Sequence, residues 1–266
     1  MKEYFNPKDD FKSLTNEVFI DDECQIEDIP IGWTNVVQRI YSKGSYYIGR
    51  FPRDDFWAEV LIHECQISNY LQDKVSTQVP ELNLYKDIKG RVFSIHEEIP
   101  GVSFASIQDE MSSSELKFVA EDIASFLSQI HSQEVGNLKL GSIEDFINRL
   151  AKYHGINLEI PMDDQNSTIL VHGDFNSKNI ILNSAKRLEG VIDFGFASVG
   201  NVEWDLSRIC HEEPKKFEED LLHFYEQISH RRVNMDRFTF LKKLWSEICE
   251  KYVEYMIKKM RSYIVE

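Results

Sequence analysis

Long apolar runs are absent from this chain of 266 residues. No stretch approaches the roughly 18 uncharged apolar residues of a membrane-spanning helix, and residues 1–13 carry no apolar signal region. Its four cysteines, Cys24, Cys65, Cys210 and Cys249, are widely scattered and form no CxxC pair. This spacing predicts neither a zinc site nor a disulfide scaffold, but free thiols in a reducing compartment. We therefore expect a soluble, cytoplasmic protein with no membrane partner.

Positive charge is also scarce. The chain has 30 Lys and Arg against 45 Asp and Glu, a formal net charge of −15. This balance argues against a nucleic-acid partner, because such a protein needs a basic surface to displace counterions from phosphates. It is compatible with a cationic ligand, although solubility alone explains many acidic proteins. Hydrophobic residues make up 42% of the chain, which is enough to bury a core in one large domain or in two lobes.

The order of predicted elements indicates an α+β fold. Residues 31–51 read as a β-hairpin, 56–72 as a helix and 92–100 as a further strand, whereas from residue 112 onward helices dominate. Strands and helices segregated in this way, with a change of composition near 98–102, predict a small β-rich N-lobe and a larger, mainly helical C-lobe. We place the division as 1–98 and 99–266, and expect nucleotide binding in the first part and catalysis in the second.

Two polar clusters interrupt short apolar runs in the second half of the chain. The stretch VHGDFNSKNIIL at 171–182 contains Asp174 and Asn179, and GVIDFGFA at 190–197 contains Asp193. Each residue taken singly is also typical of a turn or a cap. Taken together, two carboxylates and an amide at one edge of the strands would repel or remain unsatisfied without a cation. Hard oxygen ligands of this kind suit Mg²⁺, which completes its shell with water and substrate phosphates.

The same residues carry a family resemblance. The spacing of His172, Asp174 and Asn179, followed by Asp193-Phe-Gly, resembles the catalytic loop and metal-binding motif of the aminoglycoside phosphotransferase family. The resemblance implies a protein-kinase-like fold, with Asp174 as catalytic base and with Asn179 and Asp193 holding Mg²⁺ on the phosphates of ATP or GTP. It also implies that His172 supports the loop and that Asp205 braces it from the following helix.

The first lobe offers candidates for the phosphate-binding pair. The stretch IGRFPR resembles the family's strand that carries a phosphate-binding cation, here Arg50 where many relatives have Lys, with Arg53 as an alternative. Glu64 lies on the otherwise apolar face of helix 56–72, where a buried carboxylate needs a cationic partner. Arg50 is the natural partner, and Glu59 is the rival acid.

Further nucleotide contacts follow from the resemblance. The segment from Gly32 to Asn35 falls where the family's phosphate-covering loop lies, and the segment 96–99 resembles the hinge that meets the base through backbone groups. The predicted contacts are Thr34, Asn35, Ile48, Glu97, Ile99, Ile181 and Ile192. The isoleucines are equally typical of ordinary core.

The acceptor is predicted to be a small molecule. Asp205 follows Asp193 by only 12 positions, which leaves no room for the activation segment of a protein kinase. Glu203, Glu212 and Glu213 are acidic candidates for a cationic acceptor, or else a solvated face. The resemblance favours an aminoglycoside. The alternatives are a macrolide, a metabolite such as an amino alcohol or sugar, and a nucleotide-binding protein without turnover.

Overall fold

A computed structural model describes residues 5, 11–19, 24–29, 34–136, 138–160, 169–211 and 213–264. The chain divides into two compact units. The first contains 1–73, 78–100 and 190–195, and the second contains 74–77, 101–189 and 196–266. The strand content of the first unit and the helix content of the second confirm the predicted α+β class.

The first unit is built on an antiparallel sheet of five strands in the order β1-β2-β3-β5-β4. Its elements are α1 (Phe11–Val18), β1 (Gln25–Asp28), β2 (Asn35–Ser42), β3 (Ser45–Pro52), α2 (Asp55–Leu71), β4 (Asn83–Lys86) and β5 (Val92–Glu97). The predicted hairpin is confirmed as β2 and β3. Its two loop residues, Lys43 and Gly44, both have positive φ, at 53° and 84°, as the tightest hairpin turns require.

Aromatic rings form the core of the first unit on one face of this sheet. Phe51 and Phe93 stack at 5.2 Å, and Phe5 and Phe11 cover them. Residues of β3 and β5 alternate in direction, so the neighbouring Arg50 belongs to the opposite face. Asp54 is the N-cap of helix α2: its carboxylate accepts the N–H of Trp57 and caps the first turn.

The second unit is mainly helical. Its helices are α3 (Phe104–Ile107), α4 (Ser113–His131), α5 (Ile143–His154), α6 (Glu203–Ile209), α7 (Lys215–Ser229) and α8 (Met235–Ile264). Its short strands are β6 (Val102–Ser103), β7 (Ile169–Val171), β8 (Ile180–Leu182) and β10 (Ser198–Gly200); β6 pairs with β8, and β10 with β7. Strand β9 (Leu188–Val191) begins in this unit, and its last two residues belong to the first. Helix α4 starts with a capping box between Ser112 and Glu115.

Helix α8 supplies one wall of the core of this unit. Leu241, Leu244, Trp245 and Ile248 recur at helical spacing and pack with Ile143 and Ile147 of α5. Packing of α6 against α8 fixes the position of α6, which bears on the candidate site. No helix within the described ranges is long and apolar enough to cross a membrane.

Candidate active site

The first unit brings three predicted residues together around one guanidinium. Arg50 lies on β3, Glu64 on α2 and Asp193 two residues after β9. Arg50 Nη1 donates to Glu64 Oε1, and Arg50 Nη2 donates to Asp193 Oδ1 at 3.1 Å. The structure therefore pairs Arg50 with Glu64, the acid on the apolar face, whereas the rival Glu59 is exposed.

Burial sets the electrostatics of this cluster. Glu64 is fully buried and its pKa is raised to about 7, because desolvation of the carboxylate outweighs the stabilising charge of Arg50. Burial alone would lower the pKa of Arg50, but the Glu64 and Asp193 carboxylates raise it above its usual range. Arg50 therefore stays a cation. Asp193 is the accessible member, with 49% of its side chain exposed.

The backbone around Asp193 is unusual. Asp193 adopts φ of 69°, the left-handed region that few non-glycine residues occupy. Two residues on, a Cβ at Gly195 would stand 2.8 Å from Val60 Cγ1 of α2, closer than carbon atoms approach. The glycine of the Asp-Phe-Gly motif thus lets this segment pass close to α2, which puts Asp193 within reach of Arg50.

The predicted contacts to the nucleotide base in the first unit differ in their exposure. Ile48, Ile99 and Ile192 are half-buried, and Glu97 is exposed at the end of β5. Ile99 packs against Gly190, where a Cβ would stand 2.7 Å from Ile99 Cγ2. Each side chain keeps part of its surface open, as a ligand contact requires, but none is set apart from ordinary core by geometry alone.

His96 was not among the predicted site residues. It shares a sheet face with Arg50, because it pairs with Ile48 as Ser94 pairs with Arg50. Burial, together with the charge of Arg50, lowers its pKa to about 3, so the imidazole is neutral.

The predicted phosphate-covering loop is only partly described. Gly32 and Trp33 lie outside the described residues. Thr34 is half-buried, and its hydroxyl accepts a hydrogen bond from the amide of Asn35 at 2.8 Å. Asn35 is buried, with 4% exposure, so its side chain is engaged within the unit rather than presented to a ligand.

In the second unit, Asp205 of α6 holds the backbone of the predicted catalytic loop. One carboxylate oxygen accepts the N–H of His172 at 2.7 Å, and the other accepts the N–H of Gly173 at 2.9 Å. Gly173 has φ of 83°, and a Cβ there would stand 2.3 Å from the carbonyl oxygen of Phe196. Only glycine fits this turn, which accounts for its place before Asp174.

A buried network continues behind Asp205. His131, the last residue of α4, approaches Asp205 Oδ2 with Nε2 at 3.2 Å and the hydroxyl of Tyr225 with Nδ1 at 2.8 Å. Both His131 and Tyr225 are buried. Sequence reasoning missed both residues. The signal for His131 was a polar residue that ends an amphipathic helix in register with its apolar face.

Asp174 and Asn179 share a compact loop. The side-chain nitrogens of Asn176 and Asn179 each donate to the carbonyl oxygen of Asp174 at 3.0 Å. Arg208 of α6 donates from Nε to Asp174 Oδ1 at 2.8 Å. The loop is thus fixed at its backbone by amides, and the Asp174 carboxylate is held by a cation that sequence reasoning did not single out.

The two described acceptor candidates, Glu203 and Glu213, do not lie on an open face. Glu203 is buried, with 3% exposure; Oε1 accepts the N–H of Asn234, and Oε2 lies 3.6 Å from Arg237. Contrary to expectation, Glu203 therefore ties α6 to the start of α8. Glu213 is also buried, and Glu212 lies outside the described residues.

The donor chemistry within each unit fits a magnesium ion. The hydrogen bond of Asn179 uses its amide nitrogen, so the amide oxygen remains as the atom that suits Mg²⁺. Asp193 bonds Arg50 through Oδ1 and is half-exposed. Mg²⁺ needs no more than one or two protein carboxylates when substrate phosphates complete its shell.

Comparison with known proteins identifies the family. Residues 25–157 and 139–238 match the phosphotransferase enzyme family. The match covers most of the chain, and the protein belongs to this family.

Solved structures show the same fold at low sequence identity. The GDP and kanamycin complex of APH(2")-IIia has a TM-score of 0.73 at 18% identity, over 95% of this chain and 92% of that one. The streptomycin–ATP–APH(2")-IIa ternary complex has a TM-score of 0.68 at 20% identity, over 97% of each chain. Macrolide 2'-phosphotransferase MphH from Brachybacterium faecium has a TM-score of 0.68 at 16% identity, over 93% and 92%.

Proposed function

We propose that this phosphotransferase moves the γ-phosphoryl group of ATP or GTP to a hydroxyl of a small molecule, and that the acceptor is an aminoglycoside. The observation that carries the proposal is the pairing of Asp205 with the two N–H groups before Asp174. A buried carboxylate committed to the backbone of one loop costs desolvation that core packing alone would not require. This arrangement fits a loop in which the following residue, Asp174, must keep a fixed orientation.

Asp174 serves as the base in this proposal. Its carboxylate accepts a proton from the acceptor hydroxyl and sets the direction of attack. Its side chain is 29% exposed, so an acceptor can reach it, and its backbone carbonyl is held by two amides. Phosphoryl transfer needs positioning and charge stabilisation more than covalent chemistry, and a fixed loop supplies the positioning.

Arg50, Asn179 and Asp193 bind the donor. Arg50 meets the phosphates, and its charge is maintained by Glu64. Asn179 and Asp193 are the proposed Mg²⁺ ligands. When bound, Mg²⁺ neutralises charge on the phosphates and helps to hold them in line. Among the predicted base contacts, Ile48, Ile99, Ile181 and Ile192 keep partly open surfaces.

The short segment between Asp193 and Asp205 indicates that the acceptor is a small molecule. A 3₁₀ turn, strand β10 and the start of α6 occupy this segment. β10 pairs with β7 over all three residues. An activation segment that docks a peptide needs a long free loop, and these elements occupy most of the segment.

The choice of an aminoglycoside rests on the similar structures and on the charge of the chain. Two of the similar structures contain kanamycin or streptomycin, and the net charge of −15 favours a polycation. A macrolide is the second candidate, because a macrolide phosphotransferase has a comparable TM-score of 0.68.

The test is a screen of the purified protein with ATP and GTP against aminoglycosides, macrolides, choline and sugars, with release of nucleoside diphosphate as the signal. We expect release that depends on Mg²⁺ and on one aminoglycoside. A response to a macrolide or sugar alone would overturn the acceptor assignment. Tight nucleotide binding without release for any acceptor would instead favour a binding protein.

A further inference from the structure

The carboxylate of Asp205 is fully buried. A carboxylate in this position needs hydrogen bonds or an opposite charge to replace its lost hydration. Two of its donors are the backbone N–H groups of His172 and Gly173. Within the part of the chain that the structure describes, no Lys or Arg pairs with it, and its third donor is Nε2 of His131, 3.2 Å from Oδ2. One imidazole therefore completes the set of donors around the carboxylate that holds the loop.

The hydrogen bonds of His131 have a defined direction. A carboxylate oxygen only accepts, so the contact with Asp205 requires a proton on Nε2 of His131. In the neutral imidazole Nδ1 is then an acceptor, and the hydroxyl of Tyr225 lies 2.8 Å from it. Burial raises the pKa of Tyr225, so this hydroxyl keeps its proton at neutral pH. The donors thus run from Tyr225 through His131 to Asp205.

Helix packing holds this chain of hydrogen bonds in place. His131 ends α4, Tyr225 lies on α7, and these two helices pack against each other. The two rings meet edge-on, with centroids 5.5 Å apart and planes at 75°, and both are buried. Contacts at both ring nitrogens fix the orientation of the imidazole, and buried networks of this kind are rigid when every member is satisfied. Helices α4 and α7 therefore act on the loop through Asp205.

We propose that His131 and Tyr225 are positioning residues for the phosphoryl transfer: their hydrogen bonds fix the rotation of the Asp205 carboxylate, so that each of its oxygens accepts one N–H of the loop that carries Asp174. The inference rests on the proposed function, because it takes Asp174 to be the base. It assigns His131 and Tyr225 no contact with the nucleotide or the acceptor.

Tyr225→Phe is the mildest test, because it removes one hydroxyl and keeps the ring. We expect kcat to fall roughly two- to tenfold, the equivalent of one hydrogen bond, with the KM for the acceptor nearly unchanged. The acceptor is the compound that responds in the screen. Tyr252→Phe is the matched control, because the Tyr252 hydroxyl is also buried but has no hydrogen-bond partner among the described residues. Its kcat should stay near wild type.

Substitution of His131 should have a larger effect. His131→Leu removes both nitrogens, and we expect kcat to fall about 10²-fold, as a small misplacement of a reacting group does. His131→Gln should lose less, because its amide N–H can still donate to Asp205. In a background of Asp205→Asn, His131→Leu should cause little further loss of kcat, because His131 acts through Asp205. Thermal unfolding of each variant separates loss of fold from loss of rate.

Amide hydrogen exchange tests the same network without an acceptor. Exchange at the N–H groups of His172 and Gly173, followed by NMR, should be faster in Tyr225→Phe than in wild type or Tyr252→Phe. The slowest amides of α4 should exchange at the wild-type rate, which would show that the opening is local to the loop.

Three results would overturn the inference. They are a wild-type kcat in both Tyr225→Phe and His131→Leu, equal losses of kcat in His131→Leu with or without the Asp205 carboxylate, and unchanged exchange at His172 and Gly173. Failure of the proposed function has a different signature: the wild-type protein phosphorylates no acceptor, although Tyr225→Phe still exchanges faster at the loop.

Discussion

The two units hold their charged side chains in place through different hydrogen-bond partners. In the first, the guanidinium of Arg50 is shared by the side-chain carboxylates of Glu64 and Asp193. In the second, the carboxylate of Asp205 is bonded to two backbone N–H groups. Side-chain pairs can exchange partners when a charged ligand arrives, whereas a loop bonded through its backbone keeps its shape. If the proposed roles hold, the first arrangement suits phosphates that bind and leave, and the second suits a loop that keeps the proposed base in place.

The largest expected effect is on the fixed loop. Asp174→Asn keeps the size of the side chain but removes the proton acceptor, so kcat should fall by about 10²–10⁴-fold. Nucleotide affinity should stay close to wild type, since the proposed donor contacts are made by other residues. Steady-state kinetics and calorimetry measure the two quantities. An unchanged kcat would show that Asp174 is not the base.

The next largest effect should be on stability. Asp205→Asn leaves one acceptor oxygen where two N–H groups need one each, and it removes the charge. We expect a loss of about 1.5–3 kcal/mol in the free energy of unfolding, the range for one hydrogen bond to a charged group. Chemical denaturation measures it. Asp220→Asn is the control, since Asp220 pairs with Lys216 at the surface, where such pairs contribute about 0–1 kcal/mol. An equal loss of unfolding free energy in the two variants would show that Asp205 stabilises the protein no more than a surface ion pair does.

A smaller effect tests the shared guanidinium. A double-mutant cycle of Arg50→Gln and Glu64→Gln should give a coupling free energy within about 0.5–3 kcal/mol, because the two side chains are in contact. Strict additivity would show that the pair does not interact in solution. The coupling free energy should also shrink at low pH. Protonation of Glu64 below its pKa of about 7 weakens the ion pair.

The smallest expected effect concerns the exposed member of the cluster. Asp193→Ala should weaken Mg²⁺-dependent nucleotide binding by about tenfold, or 1.4 kcal/mol. Titration with and without Mg²⁺ separates the metal from the nucleotide. Glu59→Ala on the exposed side of α2 should leave both affinities unchanged. A loss of affinity that is the same without Mg²⁺ would argue against Asp193 as a metal ligand.

Local patterns were sufficient to predict part of this structure. The hairpin followed from strand-forming residues around Lys43-Gly44, and the partner of Glu64 followed from the cost of burying a carboxylate. Both depend on neighbouring elements of the first unit.

Long-range packing decided what the sequence could not. Arg208 meets Asp174 only because α6 returns beneath the loop, 34 residues later in the chain. Glu203 was a candidate contact of the acceptor or part of a solvated face, but it is buried and accepts the N–H of Asn234 at the start of α8. The sequence alone does not give the position of α6 or of α8, on which both contacts depend. For Arg208, the available signal was its spacing from Asp205, which puts both residues on one helix face.

The most direct test of the account follows the phosphoryl group itself. The purified protein is incubated with Mg²⁺, ATP or GTP and the aminoglycoside that responds in the screen, and the acceptor is analysed by mass spectrometry while released diphosphate is quantified. We expect one phosphate ester on the acceptor for each nucleoside diphosphate released. Diphosphate released without a phosphorylated acceptor, or no reaction with any hydroxyl compound, would contradict it.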